Sequence, residues 1–466
     1  MLRASAASEL AGVPSSSLVC EGFIGQAGTT SVGLGMSNLP LAFVPGHVGN
    51  QSAEELQKNI SEITCDAVVS NLLEAPSEQA IIVEPSPRDT VFAGTFEEVN
   101  RLFYENEWSD GLPVVPPTIA KVEAFLKFTG RDPDDILGIL LPDSRAATVW
   151  SVAVNGVMAG CRPEYMPILV ALVEAMADPD YGVEHSGNTP GGETLITLNG
   201  PIIKDLDFNV EQGVLRDGFA PNTSVGRFWR LYLRNVAGFL LHKNDKATFG
   251  NTWRVVLAEN EDVVEKIGWQ PNSVEMGFKA GDNTVTIARY TGGNLLASVY
   301  GDSPERMMPF IADGVLRQNT WQLVFTVGTS NGSLRPLLVL SPILAETIAR
   351  AGWSKQDVKQ YLFDHARLPA WQFERYLGEW TDHPIRSLKD QANLGKIPKL
   401  FHESDDPERM VPIVFEPDDF MIVVAGDLLR TNCYTFAHNG ILGYPVAKKI
   451  ALPEDWSSLL AGARSG

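Results

Sequence analysis

From Thr95 onward, short apolar runs alternate with stretches of helical periodicity, and no other feature narrows the choice of fold as much. Runs at about 194–198, 253–258, 284–289, 321–327, 335–340 and 419–425 have the length and composition of buried strands. Helical stretches lie near 119–128 and 146–160, from Pro163 to about Ala177, and over 224–237, 304–317, 343–351, 355–366 and 370–378. Two helix starts carry their own signals. Thr95 and Glu98 make a capping box at the head of a helix reaching about Glu107, and Pro163 takes the favoured first helical position. The alternation predicts an α/β fold class, a sheet-centred large domain of α/β or α+β type.

The first ninety residues read differently. Residues 39–45 (LPLAFVP) suit a buried strand, Ser52 and Glu55 open an amphipathic helix through about Leu73, and Ile81 to Val83 is a second short apolar run. Strand, helix, strand is a βαβ-like fragment. It starts from a glycine-rich stretch (Gly22, Gly25, Gly28, Gly33, Gly35) with no strand and helix of its own ahead, so it is expected to be incomplete at its front. Pro85, Pro87 and Asp89 then break the pattern. The division expected is 1–90, a small α/β segment with its linker, and 91–466, one large mixed domain.

Charge and cysteine usage limit the partners. A formal net charge of −20 with no Lys/Arg-rich run disfavours nucleic acid and anionic membrane. No apolar run approaches the roughly 20 residues that span a bilayer, and the Ser/Ala-rich start lacks a secretory pattern, so the expected location is cytoplasmic. Cys20, Cys65, Cys161 and Cys433 lie far apart without a CxxC pair, which excludes a finger-type zinc site and argues against a disulfide framework. The seven histidines show no HExxH or HxH spacing, so no metal is expected, and the cofactor is left open.

The densest polar signal falls in 145–262, where many Asn, Arg and Glu residues border apolar elements. Asparagine is a poor former of helix and strand, so such a cluster means either caps and turns or an inward-facing hydrogen-bonding site. Asn199-Gly200-Pro201 closes a strand, where open α/β sheets hold ligands, although it is most simply a turn. Arg227, Arg230 and Arg234 share a helix face behind Pro221-Asn222-Thr223-Ser224, an arrangement that suits a carboxylate or phosphate as well as it suits a salt-bridged surface. Asp110, in Asp110-Gly111-Leu112-Pro113, reads first as a turn and second as an acid or base. Cys161, ahead of Pro163, is either a core thiol or a helix-activated nucleophile. His438 lies in a segment, 432–440, that joins thiol, imidazole and glycine directly after an apolar strand; it is read as a loop suited to catalysis or as a plain connection.

Segments DGLPVVPPT (110–118), VNGVMAGCRPEYMPILVALVEA (154–175), TLNGPI (197–202), NTSVGRFWRLYLRNVAG (222–238), AENE (258–261) and AGWSKQDVKQYLFDHARLP (351–369) together resemble the long C-terminal region of the UGSC family of thiol or selenol proteins. LGMSNLPLAFVPGHVGNQSAEELQKNI (34–60) resembles the second half of that family's small α/β domain. The family is named for a selenocysteine or cysteine followed by Gly-Ser-Cys near its front. No such motif stands here, and Cys20-Glu21-Gly22 does not match it. A second departure is Ser341-Pro342-Ile343-Leu344-Ala345, where related sequences tend toward Pro-Glu-His-Ala. The resemblance thus implies a truncated front domain without its thiol centre, and it implies a fold and a site region in the body more than an activity.

The leading expectation is an enzyme acting on a small anionic or carbonyl metabolite, forming or cleaving a carbon–heteroatom bond. Cys161, Asp110 and His438 are the candidates for nucleophilic or acid–base work; Asn155, His185, Asn199, Asn222, Arg227 and Glu259 are the candidates for substrate binding. The alternatives are a non-catalytic binding or assembly subunit that has lost a thiol redox centre, and a thiol-dependent oxidoreductase using Cys161 or Cys433. A small-molecule substrate is the expected partner, and homo-oligomerisation stays open.

Overall fold

The structure, a computed structural model, describes residues 2–74, 86–379 and 386–465. In the front piece, strands β1 (Ser17–Cys20) and β2 (Leu41–Val44) pair in parallel and are joined by the helix Ile24–Gly33. This piece therefore does carry a first strand and helix, where the glycine-rich stretch is expected to have none ahead of it. Two physical facts hide them in the sequence. The strand is only four residues long with alternate residues exposed. Gly25, Gly28 and Gly33 of the glycine-rich stretch sit within a helix packed against the body: a Cβ on Gly25 would come 2.9 Å from the Lys243 carbonyl oxygen, and one on Gly33 would overlap the Pro142 carbonyl. After β2 the chain runs from Ala53 to Leu73 as one helical stretch with a π-turn over Ile60–Thr64, capped by Ser52. The apolar run Ile81 to Val83 lies outside the described residues.

In the body, the Thr95–Glu98 capping box is formed at the helix Phe96–Glu105. Strands β3 (Ile136–Leu140) and β4 (Arg145–Thr148) make a hairpin. The main sheet is built from β5 (Glu193–Asn199), β6 (Val256–Ala258), β7 (Thr284–Leu296) and β8 (Leu337–Leu340) with later strands, while β9 (Arg367–Pro369) and β10 (Met410–Pro412) pair apart from it. The later strands are β11 (Met421–Val424), β12 (Cys433–His438) and β13 (Val446–Lys449). The order is β11-β8-β12-β7-β5-β6, with β13 on the early half of β7. The pairs β5/β6 and β8/β11 are parallel and the others antiparallel, which makes it a mixed sheet.

This sheet curls until its two edge strands meet. The Asn260 N–H donates to the Val424 carbonyl at 2.8 Å, and the Val424 N–H donates to Glu259 Oε1 at 3.2 Å, joining the ends of β6 and β11. Strand side chains alternate between two faces. One set, including Leu195, Leu257, Ala288, Tyr290, Val339, Val423 and Phe436, forms a closed inner cluster. The other set points outward. Ile196, Leu198, Val256, Val285 and Ile287 pack with the helices Val149–Ala159, Met166–Met176 and Ala220–Tyr232. Leu338, Leu340, Ile422 and Val424 pack with the helices Pro304–Asn319, Pro342–Arg350 and Lys355–His365. Layers of this kind, helices around a buried sheet, explain why the strands read as continuous apolar runs.

Two element expectations fail. Residues 321–327 are not a strand: they form a short 3-10 turn, Thr320–Gln322, and a helical turn, Leu323–Thr326. Short apolar runs fit either geometry, and here Leu323 and Val327 complete the outer core beside the preceding helix. Conversely, 432–440 is not a loop, since most of it is β12, enclosed between β8 and β7. Thr435 and His438, both fully buried, interrupt the apolar pattern that would have marked this strand. No helix among the described residues is long and apolar enough to cross a membrane.

Candidate functional site

The expected site residues fall into three separate places. The first is the junction of the DGLP loop with the helix Ala220–Tyr232. Arg227 grips Asp110 with two hydrogen bonds, Nε to Oδ2 at 3.0 Å and Nη2 to Oδ1 at 2.8 Å, and Arg254 approaches Oδ2 at 3.4 Å. Burial pushes the Asp110 carboxyl up, but its bonds to Arg227 and the charges of Arg227 and Arg254 outweigh it and leave the group below its ordinary range. A carboxylate so held is a poor proton carrier near neutrality. Arg230 pairs with Asp245 at 2.5 Å, and Arg234 donates to the Glu107 carbonyl at 3.0 Å, so each arginine of the expected face has a protein partner. Cys161 lies beside this latch, and burial pushes its thiol up to about 12, against the lowering effects of Ser224 and Arg227. It sits in the core as a protonated thiol.

Asn222 and Asn155 are structural staples. The Asn222 amide donates to the Val256 carbonyl at 2.9 Å and the Asn209 carbonyl at 3.0 Å, and its oxygen accepts from the Asn209 N–H at 2.9 Å, tying helix to strand. Asn155 donates to the Ser151 carbonyl and accepts from Asn235 at 2.9 Å.

The second place holds the histidines. His438 is fully buried near the end of β12; its Nδ1 accepts from the Arg335 N–H at 3.1 Å, and burial, reinforced by the charges of Arg335 and Arg289, pulls its pKa down to about 3. It is a neutral core imidazole. His185, in the turn Val183–His185, is exposed, and its carbonyl accepts from Asn188 at 2.7 Å.

The third place is where Asn199 and Glu259 meet, and it gathers groups from five segments. Glu259, wholly buried directly after β6, accepts from Asn199 Nδ2 at 2.8 Å and from the Asn272 N–H at 2.7 Å on Oε2, and from the Val424 N–H on Oε1. Glu261 accepts from the same Asn199 amide at 2.8 Å and from the Gly200 N–H at 2.9 Å. The Asn199-Gly200 turn is thus also a binding corner for two carboxylates. Opposite stands Lys355, at the head of its helix and only 6 % exposed at the side chain. Its Nζ is 3.7 Å from both Glu259 Oε1 and Glu275 Oε2 and makes no hydrogen bond, while Lys359 pairs with Glu275 at 3.1 Å. Burial raises the Glu275 carboxyl above its ordinary value despite the two lysines, and burial likewise raises Glu261 despite its bonds to Asn199 and Gly200. Glu275 keeps 21 % of its side chain exposed, so the cluster has a polar edge toward solvent.

Asn199 and Glu259 were within reach of sequence reasoning; Lys355, Lys359, Glu275, Asn272 and Glu261 were not singled out for chemistry. A signal for the lysines exists. Lys355, Val358, Lys359 and Leu362 recur at helical spacing and form the buried stripe of their helix, so two lysines occupy positions that an apolar stripe reserves for the core. Among the described residues, no three His, Cys, Asp or Glu side chains are arranged to hold a metal ion.

The family model of the UGSC family matches residues 1–74. That span is the front strand–helix–strand unit and the helix after it. The match stops before the body, so neither the resemblance drawn from the segments after Thr95 nor the loss of a thiol motif rests on it. No curated protein and no solved structure matches the chain.

Proposed function

We propose that the chain is an enzyme acting on a small anionic or carbonyl metabolite at the Lys355–Glu275 edge, in small-molecule metabolism of the cytoplasm. The observation that carries this reading is the Lys355 ammonium: nearly buried, without a hydrogen-bond partner, and set between two carboxylates. A buried cation with unused N–H donors is suited to developing oxyanion charge, because in a dry site such donors act at low dielectric. Glu275 and Glu261, both raised by burial above the ordinary carboxyl value, are the groups suited to moving protons. The fitting reaction is elimination or addition next to a carbonyl. Glu275 as carboxylate takes the proton from the carbon beside the carbonyl, the electron pair shifts to an enolate held by Lys355, the carbon–heteroatom bond breaks with its electrons, and the Glu261 acid protonates the leaving heteroatom.

The buried thiols of Cys161 and Cys433, both pushed up to about 12 by burial, give a thiol-dependent route no support. The test is hydrogen exchange in D2O across a panel of small 2-oxo, 3-oxo and 2-hydroxy acids, followed by proton NMR. The wild type is expected to exchange the proton beside the carbonyl of at least one member, and Lys355→Met to lose about 100-fold of that rate, the usual loss on removing one oxyanion donor. Calorimetry on both proteins checks that the variant is folded. Exchange at equal rates in the folded variant, or with no member of the panel, would overturn the proposal.

A further inference from the structure

Beneath the Lys355 edge, on the inner face of the curled sheet, four side-chain oxygens have no hydrogen-bond partner: Asn199 Oδ1, Asn272 Oδ1, Ser273 Oγ and Thr284 Oγ1. All four residues are at most 1 % exposed. Asn199, Asn272 and Thr284 are linked through the strand pair and through Glu259, and Ser273 is next to Asn272 in the chain. Asn199 and Thr284 stand directly opposite each other on β5 and β7, and Leu195 and Ala288, an even number of residues away on the same strands, belong to the inner cluster. The Asn199 amide and the Asn272 N–H end on one and the same oxygen, Glu259 Oε2, and Ser273 follows Asn272.

The amide orientations are set by their partners. Asn199 Nδ2 donates to Glu259 and Glu261, and Asn272 Nδ2 donates to Thr286 Oγ1 at 3.4 Å, which fixes both Oδ1 atoms as acceptors. Each buried polar atom left unpaired costs about 1–3 kcal/mol, so a native interior leaves few of them.

We propose that these four oxygens form a floor site for a monovalent alkali cation, K+ or Na+, below the polar edge. Neutral amide and hydroxyl oxygens are hard ligands, and a site poor in directly offered carboxylates disfavours Ca2+ and Mg2+, which draw on several of them. The cation would satisfy the unpaired acceptors together. The site stands on its own observations, whether or not the edge above it is catalytic.

The test compares thermal unfolding of the full chain in KCl, NaCl and choline chloride at equal ionic strength, with thallium-soaked crystals for location. The wild type is expected to melt higher in one alkali salt than in choline, with an anomalous thallium peak among the four oxygens. Thr284→Val and Ser273→Ala, each removing one oxygen at near-constant volume, are expected to raise the cation concentration for half of that effect by about tenfold, which is ~1.4 kcal/mol. Equal melting in all three salts with ordered waters alone at the floor would refute the site. So would an alkali effect unchanged in both variants, which would place the cation elsewhere. If a variant fails to fold, the thallium peak in the wild type decides.

Discussion

Asp110→Asn tests the reading of the first cluster as a latch rather than a catalytic group. The Asp110 side chain is 4 % exposed and the Arg227 side chain 17 %, so the pair is largely shielded from water. Two charge-assisted hydrogen bonds are worth about 1.5–3 kcal/mol each in mutational series. Arg254 is half exposed and adds little. Asparagine keeps one acceptor oxygen for Arg227 but loses the charge and the second acceptor, and it leaves a guanidinium without a counter-ion. A loss of about 3 kcal/mol at neutral pH follows, at the lower end of the cost of breaking a buried pair.

The sign with pH follows from the depressed carboxyl. A group whose folded pKa lies below its unfolded value, about 3.9 for Asp, contributes stability that is present above that value and disappears as pH falls through the folded one. The difference between wild type and variant should therefore be full at pH 7 and shrink well below pH 4. Urea unfolding followed by tryptophan fluorescence at a series of pH values measures it. A variant as stable as wild type at pH 7, or a difference that stays constant into acid, would refute the latch.

Two further outcomes follow from the staples and thiols. Asn222→Ala removes three hydrogen bonds at a 1 % exposed position, and it should lower stability by about 2–3 kcal/mol, read from the same urea curves. Iodoacetamide at neutral pH should label exposed Cys65 in the native protein and reach Cys161 and Cys433 only after denaturation, as judged by peptide mass spectrometry. Rapid native labelling of Cys161 would reopen it as a nucleophile.

Much of the sheet is legible in the chain because strands covered on both faces need apolar side chains in both directions. Leu337 to Leu340 and Met421 to Val424 are of this kind, and they read as runs. Capping boxes likewise announce the helix at Thr95 without reference to the rest of the molecule. What stays hidden depends on distant partners. Strand β12 carries buried Thr435 and His438, tolerable only because β7 and β8 flank it and because Arg335 supplies a backbone donor to the imidazole. The glycines of the helix Ile24–Gly33 make sense only beside the Lys243 and Pro142 carbonyls.

The candidate site shows the same division. Asn199 and Glu259 stand out because one ends and the other follows an apolar strand, whereas Lys355 and Glu275 lie on helices 96 and 16 residues beyond Glu259 and meet it only in the folded chain. No local pattern links such positions. The lysine-bearing buried stripe of the helix Lys355–His365 is the one local trace of the arrangement.

Glu259 also satisfies the Val424 N–H, where the two margins of the sheet come together. An open strand margin is a template for pairing with another chain, and here a carboxylate occupies the donor that such pairing would recruit. Substituting Glu259 would leave the buried Val424 N–H without its acceptor as well as alter the polar edge. A library screened only for lost turnover would then confuse a loosened sheet closure with impaired chemistry.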